Sequence, residues 1–200
     1  MQITYPSKTI ARAVIPRSAV NTAVLMVGFA LLTALAAQIQ FNVPGTPVPI
    51  TGQTFAVLLA GAALGSRAGA GSQAIYWVMG AIGLPFYANA DSGWSVATGA
   101  TGGYLIGFIV AAWVVGSLAE RGQDRAVSSA IPAFLTGNAI VYIIGIPWLM
   151  ASVPSIETMV GALAAGFTPF VIGDLIKVVL AGVLLPTAWK IVDRTRSDNP

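Results

Sequence analysis

The run Met159–Ile191, MVGALAAGFTPFVIGDLIKVVLAGVLLPTAWKI, holds only three ionisable side chains, Asp174, Lys177 and Lys190. A hydrocarbon core about 30 Å thick is crossed by about 20 residues of helix rising about 1.5 Å each, so this run spans a bilayer with residues to spare. The rest of the chain repeats the pattern. At 200 residues it is 56% hydrophobic and 8% charged, with a mean hydropathy of +0.80. A soluble domain has about 45–50% apolar and about 25% charged residues. Five further apolar runs precede the last, at about Ser18–Phe41, Thr51–Ser66, Ala68–Gly83, Thr101–Leu118 and Val127–Leu149. The breaks between them have physical causes. Asn42–Pro49 contains three prolines and a glycine, Leu84–Pro85 stops the third run, and Glu120–Arg125 is a charged hexapeptide that belongs in water. Thr51 is expected to cap the second helix, the short second and third runs predict tilt or local thinning, and Pro169 and Pro186 fall inside or near the ends of the sixth. The expectation is an all-α integral membrane protein of six transmembrane helices in one domain.

Basic residues orient such a bundle, because cytoplasmic loops carry the excess of Lys and Arg. Lys8, Arg12 and Arg17 precede the first helix, Arg67 lies between the second and third, Arg121 and Arg125 between the fourth and fifth, and Lys190, Arg194 and Arg196 near the end. Nine of the ten basic residues therefore share one side, and the opposite loops carry only Asp91 and Glu157. Both termini, about 1–17 and about 192–200, are expected to be cytoplasmic, with loops at about 42–50, 84–100 and 150–158 outside. A cleaved signal peptide ending near Ala34–Gln38 is set aside, since the run is longer than the usual 7–15 residues and its removal would put one terminus outside.

Composition excludes much chemistry. With neither Cys nor His in the sequence, thiolate or imidazole metal sites, disulfides and Ser-His-Asp centres are absent, and no metal or cofactor is expected. No clustered basic face points to nucleic acid. Neither Lys8 nor Lys190 completes a Gly-x-x-x-x-Gly-Lys-Ser/Thr loop, so the chain is not expected to be an ATPase or another enzyme. An intramembrane aspartyl protease needs two carboxylates sharing a site, and Asp174 is alone within the apolar runs.

Asp174 and the tenth basic residue, Lys177, are the informative exceptions. A charge at mid-bilayer costs about 2.5–3.5 kcal/mol, and the i, i+3 spacing places both groups on one helix face, where each neutralises the other. One reading is a pair that registers helices; the other is a ligand site offering an acceptor beside a donor to a small polar-headed molecule entering from outside. Gln53, Asn89 and Asp91 sit where ligand contacts from the external loops are expected. Asn21 and Asn138, inside apolar runs, suit hydrogen bonds between helices. Tyr76, Trp77, Phe86, Tyr87, Trp94, Tyr104, Tyr142 and Trp148 lie mostly near helix ends, as interfacial aromatic residues do, and some are available to line a pocket. Ala19, Ala23, Ala30 and Ala34 form a small-residue stripe on the first helix, suited to another helix of this chain or of a partner.

The segments Pro47–Thr54 (PVPITGQT), Gly80–Phe86 (GAIGLPF), Thr101–Phe108 (TGGYLIGF) and Gly173–Lys177 (GDLIK) resemble, in order, the BioY family, the biotin-specific S-components of bacterial energy-coupling factor (ECF) transporters. That resemblance implies the S-component fold in the bacterial cell membrane, biotin as ligand, and partnership with a transmembrane coupling subunit and two ATPase subunits. It implies that Asp174 and Lys177 are central to biotin binding and that Ala19 and Ala23 meet the coupling subunit. Asp174 would accept from a ureido N–H, while Lys177 would donate to either the ureido carbonyl or the carboxylate. In the first case Asn89, Gln53 or Tyr104 would serve the carboxylate. An S-component for another vitamin and a ligand-free structural subunit are the alternatives.

Overall fold

The computed structural model describes residues 9–197. Lys8 lies outside them, and so does the side chain of Arg196. A short helix α1 (Ile10–Val14) leads to α2 (Ala19–Gln38), which Ser18 caps by accepting the Asn21 N–H at 2.9 Å. Residues Gln40–Phe41 (β1) and Ile50–Thr51 (β2) then pair antiparallel, so the expected all-α architecture carries one two-residue ladder where the Pro-rich run doubles back. Helices α3 (Gln53–Leu64) and α4 (Ser66–Ala81) follow, then a short α5 (Trp94–Ala97), α6 (Gly102–Ala119), α7 (Val127–Ser152), α8 (Met159–Gly166) and α9 (Val171–Ser197).

Among the described residues four stretches are long and apolar enough to cross a membrane: Ala19–Gln38, Gly102–Ala119, Val127–Ser152, and Met159–Thr195 taken through its internal break. Helices α3 and α4, of 12 and 16 residues, reach only about 18 and 24 Å at about 1.5 Å per residue. Between them stands Gly65 alone, at φ +88°, a conformation open to glycine without strain. Arg67 therefore sits in the first turn of α4 rather than in a loop. Gly52, not Thr51, occupies the N-cap of α3; the Thr51 hydroxyl instead accepts the Gln53 N–H at 3.3 Å.

The sixth run is not one helix. Pro169 has no N–H to continue the α ladder and its ring clashes with the carbonyl four residues back, so α8 ends at Gly166 and a 3₁₀ turn, Thr168–Phe170, intervenes before α9. Two carbonyls beside the break take side-chain donors: Gly166 accepts the Tyr104 hydroxyl at 2.9 Å, and Leu163 accepts the Thr168 hydroxyl at 3.2 Å besides the Phe167 N–H at 3.0 Å. Beyond Ile191, where a tail was expected, α9 continues to Ser197. Pro132, Pro147 and Pro186 are carried inside α7 and α9.

Small residues bring the central helices into backbone contact. A Cβ on Gly61 would lie 2.6 Å from the Ala112 carbonyl oxygen, one on Gly107 3.0 Å from Val141 Cα, and one on Gly116 2.4 Å from the Gly65 carbonyl carbon. Helices α3, α4, α6 and α7 thus form the core, with Val57, Tyr76, Leu105, Phe108 and Val141 buried among them. Helix α2 is peripheral, with 17% of its apolar window buried against 61% for α6. At one end of the bundle Glu120 Oε1 accepts the Ser66 N–H at 2.9 Å and the Ser66 hydroxyl at 3.0 Å, capping α4, while Asp124 accepts the Trp189 indole N–H at 2.6 Å. Loops 120–126, the α3–α4 turn and the last turns of α9 therefore meet on the basic side.

Candidate functional site

A cavity of about 280 Å³ lies toward the opposite end, walled by Leu105, Phe108, Val141, Tyr104 and Phe170 and rimmed by the loops at 47–51, 87–91 and 95–101. Its volume is near the lower edge of the roughly 300–1,000 Å³ typical of small-molecule sites. Asp174 and Lys177 line it, as do Gln53, Asn89, Asp91 and Tyr104.

Asp174 falls in the first turn of α9 because the helix restarts just before it, so the helix N-terminus supplies positive partial charge to its carboxylate. At 4% exposure that carboxylate needs partners, and four donors reach it. Lys177 Nζ and the Thr54 hydroxyl donate to Oδ1 at 2.8 and 3.2 Å, while Asn138 Nδ2 at 3.3 Å and the Tyr142 hydroxyl donate to Oδ2. Two donors on each oxygen fill its accepting capacity. The ammonium also donates to Thr54 Oγ1 at 3.0 Å, closing a three-membered ring of contacts and leaving one of its three N–H groups for the cavity. Among the described lining residues Lys177 is the one cation.

The remaining expected residues reach the cavity with most of their polar groups engaged. Gln53 donates to the buried Tyr76 hydroxyl and accepts from Thr51 at 2.7 Å. Tyr104 presents its ring, packed edge-on to Tyr142 with centroids 6.4 Å apart, and its hydroxyl is held by Gly166. Asn89 stands on the rim at φ +62°, its side-chain oxygen accepting from Gln40. On the same loop Tyr87 is buried against Gly80 and donates to the Trp77 carbonyl at 2.6 Å; burial pushes its hydroxyl up to about 12. Ala19 and Ala23 are exposed on a shallow surface of α2 with Thr22 and Met26, whereas Ala30 and Ala34, drawn into the same stripe from sequence, are buried within the bundle. Asn21 caps locally, donating to the Pro16 carbonyl at 2.9 Å.

Three partners of Asp174 were not singled out as its partners in the sequence. Asn138 and Tyr142 are four apart on α7 and so share a face, a polar i, i+4 pair in an apolar run that does signal a common target. Thr54 is the second residue of α3 and carries no comparable signal.

Helices able to cross a membrane, enclosing an apolar-walled cavity with one buried ion pair at its foot, define a ligand-binding integral membrane protein. The sequence matches the BioY family over residues 8–194, and the chain belongs to that family. It is 41% identical over 143 residues to the biotin transporter BioY of Thermotoga maritima, covering 72% of this chain and 82% of that one. With the biotin transporter BioY of Rhodobacter capsulatus it shares 38% over 169 residues, covering 78% and 88%. The fold matches a crystal structure of the S-component for biotin from an ECF-type ABC transporter with a TM-score of 0.76 at 24% identity, over 86% of this chain and 92% of that chain.

Proposed function

We propose that this chain is the biotin-binding S-component of an ECF transporter in the bacterial cell membrane. The observation that carries the reading is the single buried cation–carboxylate pair at the foot of the cavity, within a family whose members include named biotin transporters. Because the lone pairs of Asp174 are occupied, the third N–H of Lys177 is the direct donor, and Asp174 holds that ammonium in place. A ureido N–H competes with the Thr54 hydroxyl, itself a lining group, for Oδ1. The ureido carbonyl is then the partner for Lys177, and the tail carboxylate lies toward the rim. There Asn89 is the best-placed donor, since its amide nitrogen bonds no described residue while the Tyr104 hydroxyl is bound to Gly166.

Six membrane crossings with both termini cytoplasmic follow from the segregation of basic residues, with α8, the turn and α9 making the sixth crossing. The exposure of Ala19 and Ala23 supports their contact with a coupling subunit. Two ATPase subunits would supply the energy that this chain, having no phosphate-binding loop, does not.

Equilibrium binding of labelled biotin to the purified chain in detergent tests the proposal, with Lys177→Ala as the paired variant. Saturable binding that the variant loses supports it. A folded wild-type chain that leaves biotin unbound overturns it in favour of another vitamin or a ligand-free subunit.

A further inference from the structure

Gln38, the last residue of α2, makes two bonds to a loop about 50 positions away. Its Nε2 donates to the Tyr87 carbonyl at 3.0 Å and to the Ala34 carbonyl of its own helix at 3.1 Å, and its Oε1 accepts the Ala90 N–H at 3.0 Å. Tyr87 and Ala90 are three apart, the pair that an ordinary reverse turn joins directly. Here the glutamine amide stands between them. The turn so held is an unusual one, because Asn89 and Ala90 are both left-handed, at φ +62° and +55°. Asparagine enters that region readily and alanine at a steric cost; two backbone bonds close the turn from within, Asp91 N–H to the Ala88 carbonyl at 3.2 Å and Tyr87 N–H to the Asp91 carbonyl at 3.1 Å, and the Gln38 amide braces it from outside. Gln40 adds a second tether through Asn89. Tyr87, Ala88, Asn89 and Asp91 line the cavity, so the fastened turn is one of its walls.

We propose that Gln38 is a positioning residue for ligand binding: its side-chain amide latches the 87–90 turn in the left-handed form that closes the rim over the cavity. The inference rests on the cavity being the biotin site. Without the amide only the two backbone bonds and Gln40 hold the turn, so Ala90 visits right-handed backbone more often, the Asn89 side chain leaves the rim more often, and bound ligand escapes more readily. Removing two partly exposed hydrogen bonds corresponds to about five-fold in the closed population.

The test uses the full-length chain in detergent with two variants, Gln38→Ala and Gln38→Glu; the second keeps an acceptor for Ala90 N–H and loses the donor to Tyr87. Hydrogen exchange of the segment 84–93 is followed without ligand, and biotin dissociation is timed by chase. The expected result is about five-fold faster exchange at Ala90 and about five-fold faster dissociation in Gln38→Ala, with a smaller change in Gln38→Glu. Unchanged exchange at Ala90 overturns the latch even if wild-type protein binds no biotin, in which case it is the assignment of the ligand that has failed. Faster exchange with unaltered dissociation, or a fall in active fraction and melting temperature alone, overturns the role in ligand retention.

Discussion

Removing the charge from Lys177 while keeping an unbranched side chain only one atom shorter, as in Lys177→Met, tests the physics of the site without a ligand. The substitution takes one donor, at 2.8 Å, from a carboxylate that is 4% exposed, and leaves Thr54, Asn138 and Tyr142 on it. Breaking a buried ion pair from one side costs about 3–5 kcal/mol, and three surviving donors place this case near 3. Asp174→Asn keeps an acceptor for Lys177 Nζ, whose side chain is 16% exposed and faces the cavity, so a cost of about 2 kcal/mol is expected. The double variant contains neither charge. Replacing a buried pair by neutral groups is often nearly neutral, so about 1–2 kcal/mol is expected against a sum of about 5, a coupling of about 3–4 kcal/mol. Reversible unfolding in mixed micelles, followed by tryptophan fluorescence, measures all four corners of the cycle. Additivity within about 0.5 kcal/mol, the behaviour of independent sites, would refute the claim that the two side chains act as a unit.

Tyr142→Phe deletes one donor to Asp174 and keeps the ring that packs on Phe167 at 4.9 Å; biotin affinity should fall about ten-fold with the circular dichroism unchanged. Gly116→Ala forces a methyl to 2.4 Å from the Gly65 carbonyl carbon, and a loss of about 1–3 kcal/mol is expected in the same unfolding assay. At the basic end, burial raises the Asp124 carboxyl above the usual range, with the Trp189 N–H and the Arg125 charge offsetting part of the shift. The folded chain therefore holds this proton more tightly than the unfolded one, so the associated stability is full at low pH and declines as pH rises through the raised value. Asp124→Asn should flatten that decline and raise the melting temperature at neutral pH by about 2–4 °C; an unchanged pH profile would count against it.

Hydropathy located the helices because the bilayer demands long apolar runs, and it failed where water and helix boundaries part company. Gly166, Phe167 and Pro169 are apolar or neutral, so the break before α9 leaves no mark on a hydropathy profile. Asp193 and Arg194 signal water but not the end of α9, which runs on through them. Asp174 and Lys177 were legible because charge inside an apolar run is conspicuous. Their neighbours were less so: Asn138 and Tyr142, four apart in an apolar run, mark a shared face without naming its target, Thr54 resembles any helix-end hydroxyl, and only folding brings α3, α7 and α9 together. Gln38, in a small-residue stretch that resembles a cleavage site, gave no sign of its contact with Ala90.

The glycine-mediated contacts among α3, α4, α6 and α7 also constrain how the molecule moves. Where Gly61 meets Ala112 and Gly116 meets the α3–α4 turn, main chain rests on main chain, and no flexible side chain lies between to take up a change of angle. These four helices must translate and rotate as one block. Any change at the mouth of the cavity is consequently left to the rim segments at 47–51, 87–91 and 95–101, since the start of α9 is itself tied to α3 and α7 through Asp174.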